Sequence, residues 1–251
     1  MIRTGKIGPY TIYGDDDYRS HQLVLDNGWN YEPHIRQELE RIVPGIRGFV
    51  DVGSAIGAIT LMVKTIQPDT PVACVDCSQF NMRLLMRTIR ENDIQNITLV
   101  NMAVSSEPGI ILMNDCLDNT YTCETSKRDG QIESVGWLHF AAAMPLDYLD
   151  LPPIDLIKTD IEGMELAAWR GAKKLFSNKP KVIFEMIPGL LQRNGIDPAA
   201  ELQWLLDLGY QITVLDNPLK GIRKTFTEAA LILAYLEENR LTLCDMLAEP
   251  A

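Results

Sequence analysis

The chain has 251 residues, enough for one large domain with an ample core of its own. Apolar residues make up 46% and charged residues 23%, a balance that excludes long stretches of disorder. The formal net charge is −11 and no basic stripe is present, so neither nucleic acid nor an anionic membrane surface is an expected partner.

The N-terminus lacks the apolar core of a signal peptide, and no apolar run approaches the roughly 20 residues that a membrane helix needs. The chain therefore reads as soluble and cytoplasmic. Five scattered cysteines at 74, 77, 116, 123 and 244 suit reduced thiols. Cys74 and Cys77 form a C-x-x-C, but within a strand two residues three apart point to opposite faces, and no second pair has metal spacing.

Residues 1–30 are rich in Gly, Asp and Tyr, with short strands expected around Ile7 and over Tyr10–Tyr13. Glu32-Pro33 opens a helix marked by Ile35, Leu39 and Ile42, which Pro44-Gly45 stops. Strands and helices then alternate. Gly48–Gly53 predicts a strand, 55–67 a helix with Ile56, Ile59, Val63 and Ile66 inward, and Val72–Cys77 a second strand. Ser78 caps a helix running to Asn92, Ile97–Val104 is a third strand, and Gly109–Met113 an added one. Residues 114–140 read as irregular. A fourth strand is expected at Asp155–Asp160, a helix at Met164–Phe176, and a fifth strand at Lys181–Met186. A helix from Asp197-Pro198 to Leu208 ends at Gly209, and Tyr210–Leu215 and Ala230–Tyr235 read as the last two strands. Such alternation predicts a doubly wound α/β domain with a mostly parallel sheet, whose ligands bind beyond the carboxyl ends of the strands.

The first strand runs into Asp51-Val-Gly-Ser-Ala-Ile-Gly57. Gly53 and Gly57 let the backbone turn sharply at a ligand. Ala55 and Ala58 occupy the positions of the second and third glycines of a dinucleotide fingerprint, which counts against a pyrophosphate. Asp76 ends the second strand 23 residues after Gly53, where a carboxylate can accept both ribose hydroxyls of a nucleoside.

These segments, with Asn101-Met-Ala-Val-Ser105 and Asp155-Leu-Ile-Lys-Thr-Asp-Ile-Glu-Gly163, resemble the FkbM family of methyltransferases across roughly residues 30–216. The resemblance implies a Rossmann-like class I domain with a seven-stranded sheet, one strand of a C-terminal hairpin being antiparallel. It also implies S-adenosylmethionine as methyl donor. Asp51 would support the amino end of the methionine moiety, and Gly53, Ser54 and Gly57 would turn backbone toward it. Asp76 and Cys77 would face the ribose, and Asn101, Met102 and Ala103 the adenine. Ala55 and Cys77 depart from the family pattern, where Asn and Pro are frequent. The boundaries expected are an N-terminal extension at 1–45 covering the site, the methyltransferase domain at 46–240, and a C-terminal tail at 241–251.

Lys158 and Asp160 share one face of the fourth strand, Glu162 follows, and Glu185 ends the fifth. A lysine inside a parallel strand is costly unless paired, and acids crowded at a carboxyl end shift one another's pKa. Lys158, Asp160, Glu162 and Glu185 are therefore the candidate catalytic residues, with Asp160 also near the cofactor. His21, His34 and His139 rank below them. A third ligand at fixed spacing is lacking, so no metal site is expected, with Mg²⁺ the open alternative. The family resemblance suggests O-methylation of a hydroxyl on a small-molecule metabolite of the sugar or polyketide kind, in secondary metabolism. Asn119, Tyr121, Glu124, Arg128 and Trp137 would shape the acceptor pocket, and Tyr18 and Trp29 cover it. The rival readings are a nicotinamide-dependent oxidoreductase and a non-catalytic cofactor-binding scaffold.

Overall fold

The computed structural model describes residues 1–115, 137–215 and 223–251, with short strand segments at 120–122, 127–128 and 131–132. An N-terminal hairpin of β1 (Ile2–Ile7) and β2 (Tyr10–Asp15) leads to α1 (Arg19–Asn27) and α2 (Pro33–Ile42). There follow β3 (Phe49–Val52), α3 (Ala58–Ile66), β4 (Val72–Asp76), α4 (Gln79–Glu91) and β5 (Ile97–Asn101). A second group of strands is β6 (Ala103–Val104), β7 (Gly109–Asp115), β8 (Thr120–Thr122), β9 (Lys127–Arg128), β10 (Gln131–Ile132) and β11 (Trp137–Met144). Then come β12 (Leu156–Thr159), α5 (Glu165–Arg170), α6 (Lys173–Phe176), β13 (Lys181–Met186), α7 (Pro188–Arg193) and α8 (Pro198–Asp207). The chain closes with β14 (Tyr210–Leu215), β15 (Arg223–Phe226), α9 (Ala229–Glu238) and β16 (Cys244–Pro250).

The main sheet has eight strands in the order β15-β14-β16-β13-β12-β3-β4-β5. Strands β13, β12, β3, β4 and β5 run parallel, and β16 is antiparallel to both its neighbours, β13 and β14. The α/β architecture with a parallel core and an antiparallel C-terminal strand is as expected, but the sheet has eight strands where the resemblance implied seven, β15 pairing antiparallel at the β14 edge. Alternate residues feed two cores, as period-two geometry requires. Phe49, Cys74, Leu156, Ile183 and Leu247 join α2, α3 and α4 on one face; Val50, Val75, Ile157, Phe184 and Met246 join Trp169, Leu202 and Ile232 on the other.

Five element readings are corrected. Ala230–Tyr235 is not a strand but the middle of α9. Its apolar run, Leu231 to Leu236, carried no strand-specific period, and short apolar runs fit either state. The last strand is β16, inside the segment read as a tail; Met246, Leu247 and Ala248 are fully buried there. The third strand breaks at Met102, because Ala103–Val104 leaves the main sheet to pair with β11 in a separate four-stranded sheet, β6-β11-β7-β8. Residues 137–140, read as irregular, are strand in that sheet. The helix expected over Met164–Phe176 is two, α5 and α6, parted at Gly171-Ala172. Gly171 has no room for a side chain: a Cβ there would lie 2.1 Å from the Ser105 carbonyl. No helix among the described residues is long and apolar enough to cross a membrane.

Candidate active site

Beyond the carboxyl ends of β3, β4 and β12 lies a cleft made of two adjoining cavities. The larger has an empty volume of about 1030 Å³, counting its open mouth, and the smaller about 410 Å³. The fold opens this space by a tight exit from β3. Gly53 has φ +80°, and a Cβ there would stand 1.8 Å from the Asp160 carbonyl oxygen, so only glycine lets the two strand ends approach. The Gly53 and Ser54 N–H groups both donate to the Val75 carbonyl, and Ala55 continues the turn at φ 46°.

Asp76 ends β4 and is almost fully buried. Its two oxygens accept N–H bonds from Ala55 at 2.8 Å and Ser78 at 2.8 Å, which fixes the carboxylate plane at the floor of the larger cavity. Met102, Ala103, Val104, Ile111 and Met113 give that cavity an apolar wall. Tyr18, His21 and Phe80 stack in a row, and Tyr18 and His21 line the cavity. His21 Nδ1 accepts from the Asp15 N–H, which leaves Nε2 to donate to Asn81 Oδ1 at 3.0 Å.

A polar row crosses four strands on the face toward α2. Register sets Asp51 beside Lys158 and Glu185 beside Asp245, and Lys158 lies beside Ile183, two residues before Glu185 on the same face. Asp51 is 1% exposed; Thr60 Oγ1 donates to its Oδ2 at 2.7 Å, while Oδ1 is buried without a partner. Lys158, 4% exposed, donates to Asp160 Oδ2 at 2.7 Å. Burial opposes the lysine charge, but Asp160, Glu32 and Asp51 outweigh it and hold the ammonium above its usual range.

The acids behave differently. Asp160, Glu162 and Glu185 bring one oxygen each within 4.8 Å of one another. Burial, then Asp160 and Glu165, push Glu162 up to about 8. Burial, then Asp160, Glu162 and Asp245, push Glu185 up to about 10. Near neutrality this cluster stores protons. The same oxygens are also the donor set that a divalent cation would use, since a cation would replace those protons. Behind the cluster, Glu165 accepts the Ile161 N–H at 2.9 Å and so steadies the turn carrying Asp160 and Glu162.

Of the residues singled out in the sequence, Gly53, Asp76, Cys77, Met102, Ala103, Asp160 and Glu162 line the larger cavity, and Asp51, Gly53, Ser54, Lys158 and Asp160 the smaller. Gly57 and Asn101 line neither. Gly57 serves packing, since a Cβ there would lie 2.4 Å from Leu85 Cδ1. Asn101 Nδ2 donates to the Asp76 carbonyl and ties β5 to β4. Glu185 belongs to the acid cluster without lining a cavity, and neither His34 nor His139 lines one. Trp29 stands beneath Arg36 and away from both cavities. Asn119, Glu124, Cys116 and Cys123, and the side chains of Tyr121, Arg128 and Trp137, lie outside the described residues. Sequence reasoning missed Tyr31, Glu32 and Asn81, all lining the cleft; Tyr31-Glu32 directly before the helix proline was the one available signal.

Residues 94–212 match the family model described as the methyltransferase FkbM domain. No curated protein matches the chain. Among solved structures, methyltransferase FkbM from Methylobacillus flagellatus KT is 18% identical at a TM-score of 0.45, with 93% of this chain and 55% of that chain covered. Precorrin-6y C5,15-methyltransferase from Geobacter metallireducens GS-15 is 10% identical at 0.47, covering 86% and 88%. Cofactor-bound Rv0187 from MTB is 11% identical at 0.48, covering 86% and 78%. At these scores the likenesses carry no argument about function.

Proposed function

We propose that this chain, whose residues 94–212 match the methyltransferase FkbM domain, is an S-adenosylmethionine-dependent methyltransferase that methylates a hydroxyl of a small-molecule acceptor. One observation carries the reading: the two cavities are lined by Glu32, Asp51, Asp76, Asp160 and Glu162, with Lys158 the one Lys or Arg among the described lining residues. An acid-rich cleft suits a ligand bearing a sulfonium and an ammonium. It opposes a pyrophosphate, which needs cations or a helix N-terminus free of acids. Two further features fit the cofactor: Gly53 leaves a cradle that any side chain would fill, and the Asp51 Oδ1 and Ser54 Oγ atoms are buried without partners in the smaller cavity.

The cofactor supplies an activated methyl on a sulfonium, and the protein's task is alignment and proton removal. In this reading Asp76, at the end of β4, accepts the ribose hydroxyls. Met102 and Ala103 pack the adenine. Asp51, Gly53 and Ser54 hold the methionine end. Lys158 donates to Asp160 and holds its carboxylate in place in the cleft. An alcohol acceptor must shed a proton as the new O–C bond forms, and the acid cluster takes it. Asp160, the member paired with Lys158, receives it; Glu162 and Glu185, both raised, already hold protons near neutrality and act as donors beside it, not as the base.

Acceptor class is tested by incubating the protein with isotopically methyl-labelled donor and a metabolite extract, then resolving products by mass. The expected product carries the label as an ether or ester at oxygen in a low-mass metabolite. Label found only on macromolecules, or only at carbon or nitrogen, overturns the proposal.

A further inference from the structure

Resting on that reading of the cofactor, we infer that Glu32, supplied by the N-terminal segment, joins Asp51 in binding the α-ammonium of the methionine moiety. Both carboxyls line the smaller cavity, next to Gly53 and Ser54. Asp51 Oδ1 and Glu32 Oε2 are each buried without a hydrogen-bond partner. Such oxygens are costly unless a donor reaches them. The nearby cation does not meet the need: Lys158 Nζ donates to Asp160 and reaches neither of these oxygens. An ammonium has three N–H donors in a compact head and can serve both oxygens at once.

The way Glu32 is held argues that its position is specified. It caps α2 at φ 41° and ψ 65°, a left-handed conformation unfavourable for any residue with a Cβ and more so before Pro33. Pro33 starts the helix, so the chain turns sharply at Glu32. The Tyr31 hydroxyl bonds the carboxyl and fixes its plane. The groups facing Glu32 are Lys158 and Asp160 from β12 and its end, Asp245 from β16, and Tyr31 and His34 beside it. Two of those, Asp160 and Asp245, are acids, and with Glu32 itself they outnumber Lys158, so the pocket suits a cationic head group. Asp245 is already bonded to His34 at 2.5 Å and is no competitor for the ammonium.

The test uses two ligands that differ only at the amino position, S-adenosylhomocysteine and its deaminated analogue, titrated calorimetrically into wild-type and Glu32→Gln protein. Wild type is expected to prefer the amine-bearing ligand by about tenfold or more, the scale of a charge-assisted hydrogen bond. Glu32→Gln should lose most of that preference, while its affinity for the deaminated analogue changes by less than about twofold, because only the ammonium contact is gone. The ratio of affinities reads the contact even if the variant is less stable. An undiminished preference in Glu32→Gln overturns the inference, as does equal weakening of both ligands, the pattern of a merely structural residue. Wild-type protein that binds neither ligand overturns the cofactor reading itself.

Discussion

Glu162 holds the least ordinary charge in the cleft. It sits at φ 57° on the turn between β12 and α5, and burial with Asp160 and Glu165 nearby moves its carboxyl up to about 8. An acid raised on folding binds its proton more tightly in the native state. Its contribution to stability is therefore complete below the unfolded value, near 4.5, and is lost as pH rises through about 8. Glu162→Gln removes that loss. The variant's melting temperature, followed from pH 4 to pH 9, should gain on wild type between about pH 5 and pH 8, by about 3 °C or more, and run parallel to it above about pH 8. A constant offset at every pH would mean that Glu162 is not protonated in the fold. Asp76 shows how far residue-level reading reached. Its place at a strand end was legible, but the anchoring of the Ala55 and Ser78 N–H groups by its two oxygens was not, because the turn that brings Ala55 to it lies 21 residues away. Glu32 was illegible because its partners Asp51 and Lys158 are distant in sequence and only register brings them near.

At the scale of elements, the β3–α3 turn sets the geometry of the cleft. Gly53 and Asp160 touch because β3 and β12 are neighbours in register, with Val52 beside Thr159. Gly53→Ala must push the Asp160 carbonyl away from 1.8 Å and strain a backbone at φ +80°. The expected cost is about 2–4 kcal/mol of stability by denaturant titration, from overpacking and left-handed strain together. Binding of S-adenosylhomocysteine should fall at least tenfold, since the displaced carbonyl lies in the floor of the cleft. Native stability with unchanged binding would show that the strand ends have slack. Elements with a strong period or punctuation, such as β3, β4, α4 with its Ser78 cap, and α8 with Asp197-Pro198, lie where the sequence places them. Misplaced elements lacked such marks. Helix α9 is apolar nearly all round, with Ile232, Tyr235 and Leu236 buried, so no helical stripe stood out. Strand β11 exposes Leu138 and Phe140, an alternation hidden by the alanines at 141–143.

Across the whole molecule, the cleft depends on both ends of the described chain. Strand β16 lies between β13 and β14, and its Asp245 bonds His34 of α2, one turn from Glu32. Farther along the same strand Glu249 pairs with Lys181 of β13 and Arg41 of α2, while Glu38 of α2 pairs with Arg223 of β15. These pairs, each with a largely buried carboxylate and a half-exposed cation, register α2 against the sheet that carries the polar row. The sequence hid this dependence because Cys244–Pro250 is short, acidic at two places and ended by proline, the profile of an edge or a tail. Its burial says otherwise: removing residues 244–251 would uncover two strand edges and open a gap where Met246, Leu247 and Ala248 fill both faces. That loss is of the same order as the roughly 5–15 kcal/mol by which a domain is ordinarily stable. The truncated chain should therefore show no cooperative unfolding transition by circular dichroism and no binding of S-adenosylhomocysteine. A truncated protein that melts cooperatively and still binds would mean that β13 and β14 close the gap by pairing directly, and that α2 keeps its place over the cleft without the last strand.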